Sequence, residues 1–171
     1  VTNARDLSSI VKEFNRSKIS LMTGLNTLFN ALLNNEEFRK CDFSSLKITV
    51  GGGMAIQRVV ADRWKEVTGC PLTEGYGMTE SSPLISVNPL DGGKDGSIGL
   101  PVSSTDIRIM KEDGTLADYN EIGEIQCKGP QVMAGYYKQP DETSKAIIDD
   151  GWLCTGDIGR MDEEGYMYIV D

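Results

Sequence analysis

The sequence predicts an α/β fold: a helix-covered, mainly parallel sheet followed by a small β-rich subdomain, a distorted barrel or sandwich. Three observations carry this. Helical apolar stripes alternate with short apolar runs up to about residue 100. After about Asn88 the runs shorten to strand length and are separated by Asp-Gly and Glu-Gly pairs. A chain of 171 residues with 39% hydrophobic content is also long enough to bury a core.

Leu7, Ile10, Val11 and Phe14 recur at helical spacing between Asp6 and Phe14, and Lys18 to Met22 is an apolar run of strand length, broken by Thr23-Gly24. Leu25, Leu28, Phe29, Leu32 and Leu33 form a second helical stripe, Leu46 to Val50 a second strand, and Val59, Val60, Trp64 and Val67 a third helix. Beyond the loop signals Asp91-Gly92-Gly93 and Asp95-Gly96, strands are expected at Asp106 to Met110 and Gly123 to Lys128. Asp113-Gly114 and Glu164-Gly165 are placed as hairpin turns. Pro101 is the expected boundary, giving segments 1–100 and 101–171.

The net charge of -9 repels phosphate backbones and anionic headgroups, so nucleic acid is a poor partner. Cys41, Cys70, Cys127 and Cys154 make no CxxC pair and sit in or beside apolar runs, as free thiols in a reducing, cytoplasmic setting do. The absence of histidine excludes a Ser-His-Asp or Cys-His hydrolase built from this chain alone. No stretch reaches the roughly 18 consecutive apolar residues of a membrane span. The chain starts at Val1 without an initiator Met and stops at Asp171 in a strand-like run, so both ends are expected to be cut.

Three segments could carry chemistry. Gly51-Gly52-Gly53-Met54 follows a strand and precedes a helix, where bare backbone can approach a ligand; taken alone, three glycines more often make a tight turn. The loop from Thr73 to Pro83 combines Tyr76, a flat face for a base, Thr79, a hydroxyl for phosphate, and Glu80, a hard oxygen ligand for magnesium. A polar helix start capped by Thr79 is the alternative there. Asp157, after Gly156, could accept from vicinal ribose hydroxyls or could be an ordinary turn residue.

Gly75-Tyr76-Gly77-Met78-Thr79-Glu80, then Gly123-Glu124-Ile125 through Gly129, Gly135-Tyr136-Tyr137, Pro140, Thr143, Gly151-Trp152 and Thr155-Gly156-Asp157, resemble the AMP-forming adenylate synthetase superfamily. That superfamily includes acyl-CoA synthetases, 4-coumarate ligases and peptide-synthetase adenylation domains. Lys128-Gly129-Pro130-Gln131-Val132-Met133 and Gly165-Tyr166 through Asp171 look most like bacterial long- or medium-chain fatty acid ligases. The resemblance implies part of a large N-terminal domain and a two-step ligation: fatty acid and ATP give acyl-AMP and pyrophosphate, then coenzyme A displaces AMP.

Carried over residue by residue, the resemblance assigns nucleotide contacts to Gly52, Gly53, Tyr76, Gly77, Thr79, Asp157 and Tyr168. It implies an acyl-pocket wall at Gly51, Gly75 and Met78, catalytic roles for Thr79 and Glu80, magnesium on Glu80, and a hinge at Asp171. The phosphate-gripping loop and the lid lysine of that superfamily find no counterpart here, so the isolated chain is expected to lack turnover. Peripheral contact with the inner membrane face is compatible with such a parent. Rival expectations are an aryl or amino-acid adenylating enzyme, or a non-catalytic nucleotide- or acyl-binding module.

Overall fold

A computed structural model describes residues 3, 5–91, 93–148 and 150–170; the expected hinge Asp171 and Gly92 of the Asp91-Gly92-Gly93 loop lie outside the described residues. The chain divides into two compact units, Val1–Glu74 and Gly75–Asp171. The division therefore falls at Glu74/Gly75 rather than near Pro101. Residues 75–100 join the second unit because Ser86–Val87 and Leu100–Pro101 pair there and Gly99 bridges Met167.

In the first unit, α1 (Leu7–Arg16) starts at Asp6, whose Oδ1 accepts from Ser9 N at 3.1 Å, and buries Ile10, Val11 and Phe14. Strands β1 (Leu21–Gly24), β2 (Ile48–Gly51) and the first part of β3 (Leu72–Tyr76) run parallel in the order β1-β2-β3. Thr23 and Gly24, expected to break the first strand, pair with Val50 and Gly51 instead. Between the strands lie α2 (Asn26–Leu33), the short α3 (Glu36–Arg39) and α4 (Arg58–Thr68), which stops at left-handed Gly69. Trp64 of α4 is fully buried against Phe29 and Phe38, and its indole N–H donates to Thr49 Oγ1 at 3.3 Å.

In the second unit, the Gly75–Tyr76 end of β3 pairs antiparallel with β4 (Ser86–Val87), and β4 with β5 (Leu100–Pro101). Strands β6 (Asp106–Met110), β7 (Gly123–Lys128), β9 (Trp152–Met161) and β10 (Met167–Ile169) form an antiparallel sheet in the order β10-β9-β7-β6, with β8 (Ile147–Ile148) also on β9. The sheet is a half-barrel with β6 and β10 at its ends. Alternation along β7 and β9 turns Ile125, Cys127 and Leu153 into a core shared with Ile85, Ile98, Ile109 and Met167. Asp113-Gly114 and Glu164-Gly165 make the expected turns, with Gly114 and Gly165 at φ of 80° and 85°. A helix absent from the sequence reading, α5 (Pro140–Ala146), begins on its proline and buries none of its residues.

Among the described residues no helix is long and apolar enough to cross a membrane. All four cysteines are free.

Candidate functional site

Gly51, Gly52 and Gly53 leave β2 in the first unit. A Cβ on Gly51 would lie 2.5 Å from Ile56 Cδ1, and Gly53 takes φ of 74° with its pro-Cβ position 2.9 Å from Leu25 Cδ2. Gly52 N donates to Gly24 O at 3.2 Å. Tight-turn geometry thus accounts for the glycines at this strand end. Close by in sequence, Glu74 Oε1 accepts from Ile56 N at 3.1 Å, and burial pushes its carboxyl above the ordinary value despite that bond. Glu74 had no assigned role in the sequence reading, which placed it within the loop from Thr73 to Pro83.

In the second unit, the segment expected as one loop from Thr73 is strand up to Tyr76 and loop only beyond it. Buried Gly75 pairs with Val87. Gly77 admits no side chain, since its pro-Cβ position falls 1.8 Å from the Pro83 carbonyl oxygen. Fully buried Ser81 closes the loop: its hydroxyl accepts from Met78 N at 3.0 Å and lies 2.9 Å from the carbonyl oxygens of both Met78 and Pro83. Met78 packs on the second unit's core, while Thr79 stands exposed at the first position of a single 3-10 turn, Thr79–Ser81. Thr79 does not cap that turn; Met78 precedes it.

The backbone of this loop also holds Glu80. Met133 N donates to Glu80 O at 2.8 Å, and the Tyr136 hydroxyl donates to Glu80 Oε1 at 2.9 Å, which raises the Tyr136 phenol pKa. That partner lies 56 positions away, so its pairing with Glu80 carried no local signal. Among the described residues no group of three or more His, Cys, Asp or Glu side chains gathers as a metal cage. A single half-buried carboxylate fits magnesium of the kind that keeps waters and substrate phosphates as its other ligands.

Asp157 lies within β9, at a bulge rather than in a turn. Glu124 pairs with Ile158 and Gln126 with Cys154, so Thr155, Gly156 and Asp157 stand opposite Ile125 alone. Gly156 takes φ of 78°, the Thr155 hydroxyl donates to Ile125 O at 2.7 Å and accepts from Asp157 N at 3.1 Å. The bulge brings the half-buried Asp157 carboxylate to Tyr76, whose hydroxyl donates to Oδ2 at 2.5 Å. Tyr76 itself is only 8% exposed, a member of the core, so it does not offer the open ring face expected for a base. Burial first, and the Asp157 bond second, hold the phenol protonated far above its ordinary range.

Tyr168 is committed elsewhere. Its hydroxyl donates to Asp162 Oδ2 at 3.2 Å and the Arg160 guanidinium lies 4.1 Å over its ring, while Lys94 pairs with Asp162 at 2.7 Å and Glu164 at 2.8 Å. A cleft of about 490 Å³ lined by Asp106, Lys128, Val132, Met133 and Ile147, among others, includes neither Tyr76 nor Asp157. Chemically, the Tyr76–Asp157 pair offers a carboxylate whose orientation is fixed at one oxygen. It is suited to accept from hydroxyl donors.

Residues 1–137 match the AMP-binding enzyme family. The chain is 55% identical over its whole length to a long-chain-fatty-acid–CoA ligase of Haemophilus influenzae, and 45% identical over 94% of its length to one of Bacillus subtilis. It spans about 30% of the length of these curated relatives. Among solved structures, anthranilate CoA ligase AuaEII in complex with anthranoyl-AMP superposes with a TM-score of 0.88 at 26% identity, over 98% of this chain and 32% of that one. VinN superposes with a TM-score of 0.85 at 33% identity, over 95% of this chain and 42% of that one.

Proposed function

Because the chain belongs to the AMP-binding enzyme family, we propose that it forms the adenylate-binding part of an ATP-dependent long-chain fatty acid–CoA ligase. In that reaction the fatty acid carboxylate attacks the α-phosphorus of ATP, releasing pyrophosphate, and the coenzyme A thiol then displaces AMP from the acyl-adenylate. The observation that carries the reading is the Tyr76–Asp157 pair, a carboxylate presented by a strand bulge and pinned at one oxygen.

Asp157 accepts from the ribose hydroxyls through its remaining acceptor positions, oriented by Tyr76, which borders the adenosine. Gly52, Gly53 and Gly77 contribute backbone contacts to the nucleotide, whereas Tyr168, engaged by Asp162 and Arg160, is left out of the site. Thr79, exposed on its turn, contacts phosphate. Glu80 is the carboxylate that would hold magnesium, whose contribution when bound is to neutralise charge on the phosphates. Gly51, Gly75 and Met78 wall the acyl pocket. Catalysis in this scheme is positioning and charge neutralisation, which needs no histidine. We place the parent protein in the cytoplasm.

In this reading full turnover needs a longer protein and the 171 residues alone are inactive, which the chain's 30% share of its relative's length supports. The test is carboxylate-dependent ATP–pyrophosphate exchange, run on the full-length ligase carrying this segment and on the 171-residue chain. Long-chain fatty acids should drive exchange in the full-length protein and nothing should drive it in the short one. Exchange driven by aromatic or amino acids in preference to fatty acids would reassign the substrate, and exchange by the short chain would remove the partition of labour.

A further inference from the structure

A strand bulge breaks the ladder, and its freed amides must find acceptors elsewhere. At Thr155-Gly156-Asp157 two side chains take over. Glu124 Oε1 accepts from Gly156 N at 3.1 Å, and Thr155 Oγ1 accepts from Asp157 N at 3.1 Å while donating to Ile125 O at 2.7 Å. Thr155 is 9% exposed, so its hydroxyl replaces ladder bonds in a nearly dry place.

Glu124 is itself fixed. Its Oε2 accepts from Gln126 Nε2 at 2.8 Å, Gln126 Oε1 accepts from Arg108 Nε at 2.8 Å, and the Arg108 guanidinium lies 4.3 Å over the Trp152 ring. Gln126 is 4% exposed, a buried amide whose two ends are both engaged. A glutamate that merely coated the surface would need no such relay, running across β6, β7 and β9 and ending on the backbone N–H next to Asp157.

We propose that Glu124 and Thr155 are positioning residues for Asp157, holding the bulge in the one geometry that presents its carboxylate and thereby setting nucleotide affinity. The proposal rests on the reading of Asp157 as the ribose acceptor. Neither side chain touches substrate; each acts by replacing a ladder bond that the extra residues of β9 have removed.

The test uses the full-length ligase that carries this segment, with steady-state kinetics for ATP and amide hydrogen exchange at Gly156 and Asp157. Glu124→Ala and Thr155→Val should each raise KM for ATP about threefold to tenfold with little change in kcat, as loss of one hydrogen bond to a ground-state binding element does. Both should also quicken exchange at the bulge amides. Thr155→Ser, which restores the hydroxyl, should return KM to within about twofold of the parent value. Should Thr155→Val fail to fold, Glu124→Gln, which keeps an oxygen for Gly156 N, compared with Glu124→Ala decides the matter: the first should bind ATP more tightly than the second. If Asp157→Ala raises KM while Glu124→Ala and Thr155→Val leave it unchanged, the positioning proposal is overturned and the ribose reading stands. An unchanged KM in Asp157→Ala removes the ribose reading and this proposal with it.

Discussion

The Tyr76 hydroxyl donates to Oδ2 of Asp157 at 2.5 Å across 81 positions of sequence, from the end of β3 to the bulge of β9. Tyr76 belongs to the core, so the bond ties a half-buried carboxylate to a rigid anchor rather than to a mobile surface group. A phenol bonded to an ionised partner is the stronger kind of hydrogen bond.

Tyr76→Phe keeps the ring and its packing and removes only that bond. The 171-residue chain should lose about 1–2 kcal/mol in urea denaturation. An unchanged midpoint would mean that the pair contributes nothing to the fold.

Gly77→Ala tests the loop. A methyl group 1.8 Å from the Pro83 carbonyl oxygen cannot be accommodated by turning a side chain, because the obstacle is backbone. The expected cost is about 1–3 kcal/mol, read as a lowered denaturation midpoint, together with weaker ATP binding in the full-length ligase. Wild-type behaviour on both counts would contradict the close approach.

Glu74 gives a pH dependence with a definite sign. Its carboxyl pKa is raised by burial, so between the ordinary value of 4.5 and the higher folded value the folded state binds more protons than the unfolded one. The stability this contributes is complete below pH 4.5 and is lost as pH rises through the folded pKa. Glu74→Gln keeps an oxygen for Ile56 N and should flatten that decline, most visibly in denaturation series from pH 4 upward, with gains of about 1 kcal/mol or less at neutral pH. A parallel decline in the variant would place the titrating group elsewhere.

Glu80→Gln separates charge from shape. Glutamine can still accept from the Tyr136 hydroxyl, so the denaturation midpoint should stay where it is. In the full-length ligase, kcat should fall by about 100-fold or more and the magnesium requirement should rise. Retained kcat at ordinary magnesium would remove Glu80 from the metal role.

What the sequence disclosed and what it hid divide along physical lines. The stripes of α1 and α4 and the strands β6 and β7 were legible because an apolar face imposes its period on local sequence. Helix α3 is too short to show a period, and α5 buries no residue that could mark one. Tyr76, Glu80 and Asp157 stood out as residue types suited to an adenylate. Their partners did not, because Tyr136 meets Glu80 and Asp157 meets Tyr76 only through tertiary pairing. The bulge is a matter of register between β7 and β9, so by residue chemistry alone Asp157 read more readily as a turn residue. Tyr168, expected at the nucleotide, lies in β10 with its hydroxyl engaged by Asp162 and its ring under the guanidinium of Arg160.

Sugar selectivity measures the ribose role of Asp157 most directly. KM for ATP, 2′-deoxy-ATP and 3′-deoxy-ATP should be compared in the full-length ligase and in its Asp157→Ala variant. The unaltered enzyme should disfavour the deoxy nucleotides by about tenfold or more, the worth of a hydrogen bond to a carboxylate, and Asp157→Ala should bind all three alike at the weaker level. Undiminished discrimination in the variant would contradict the assignment.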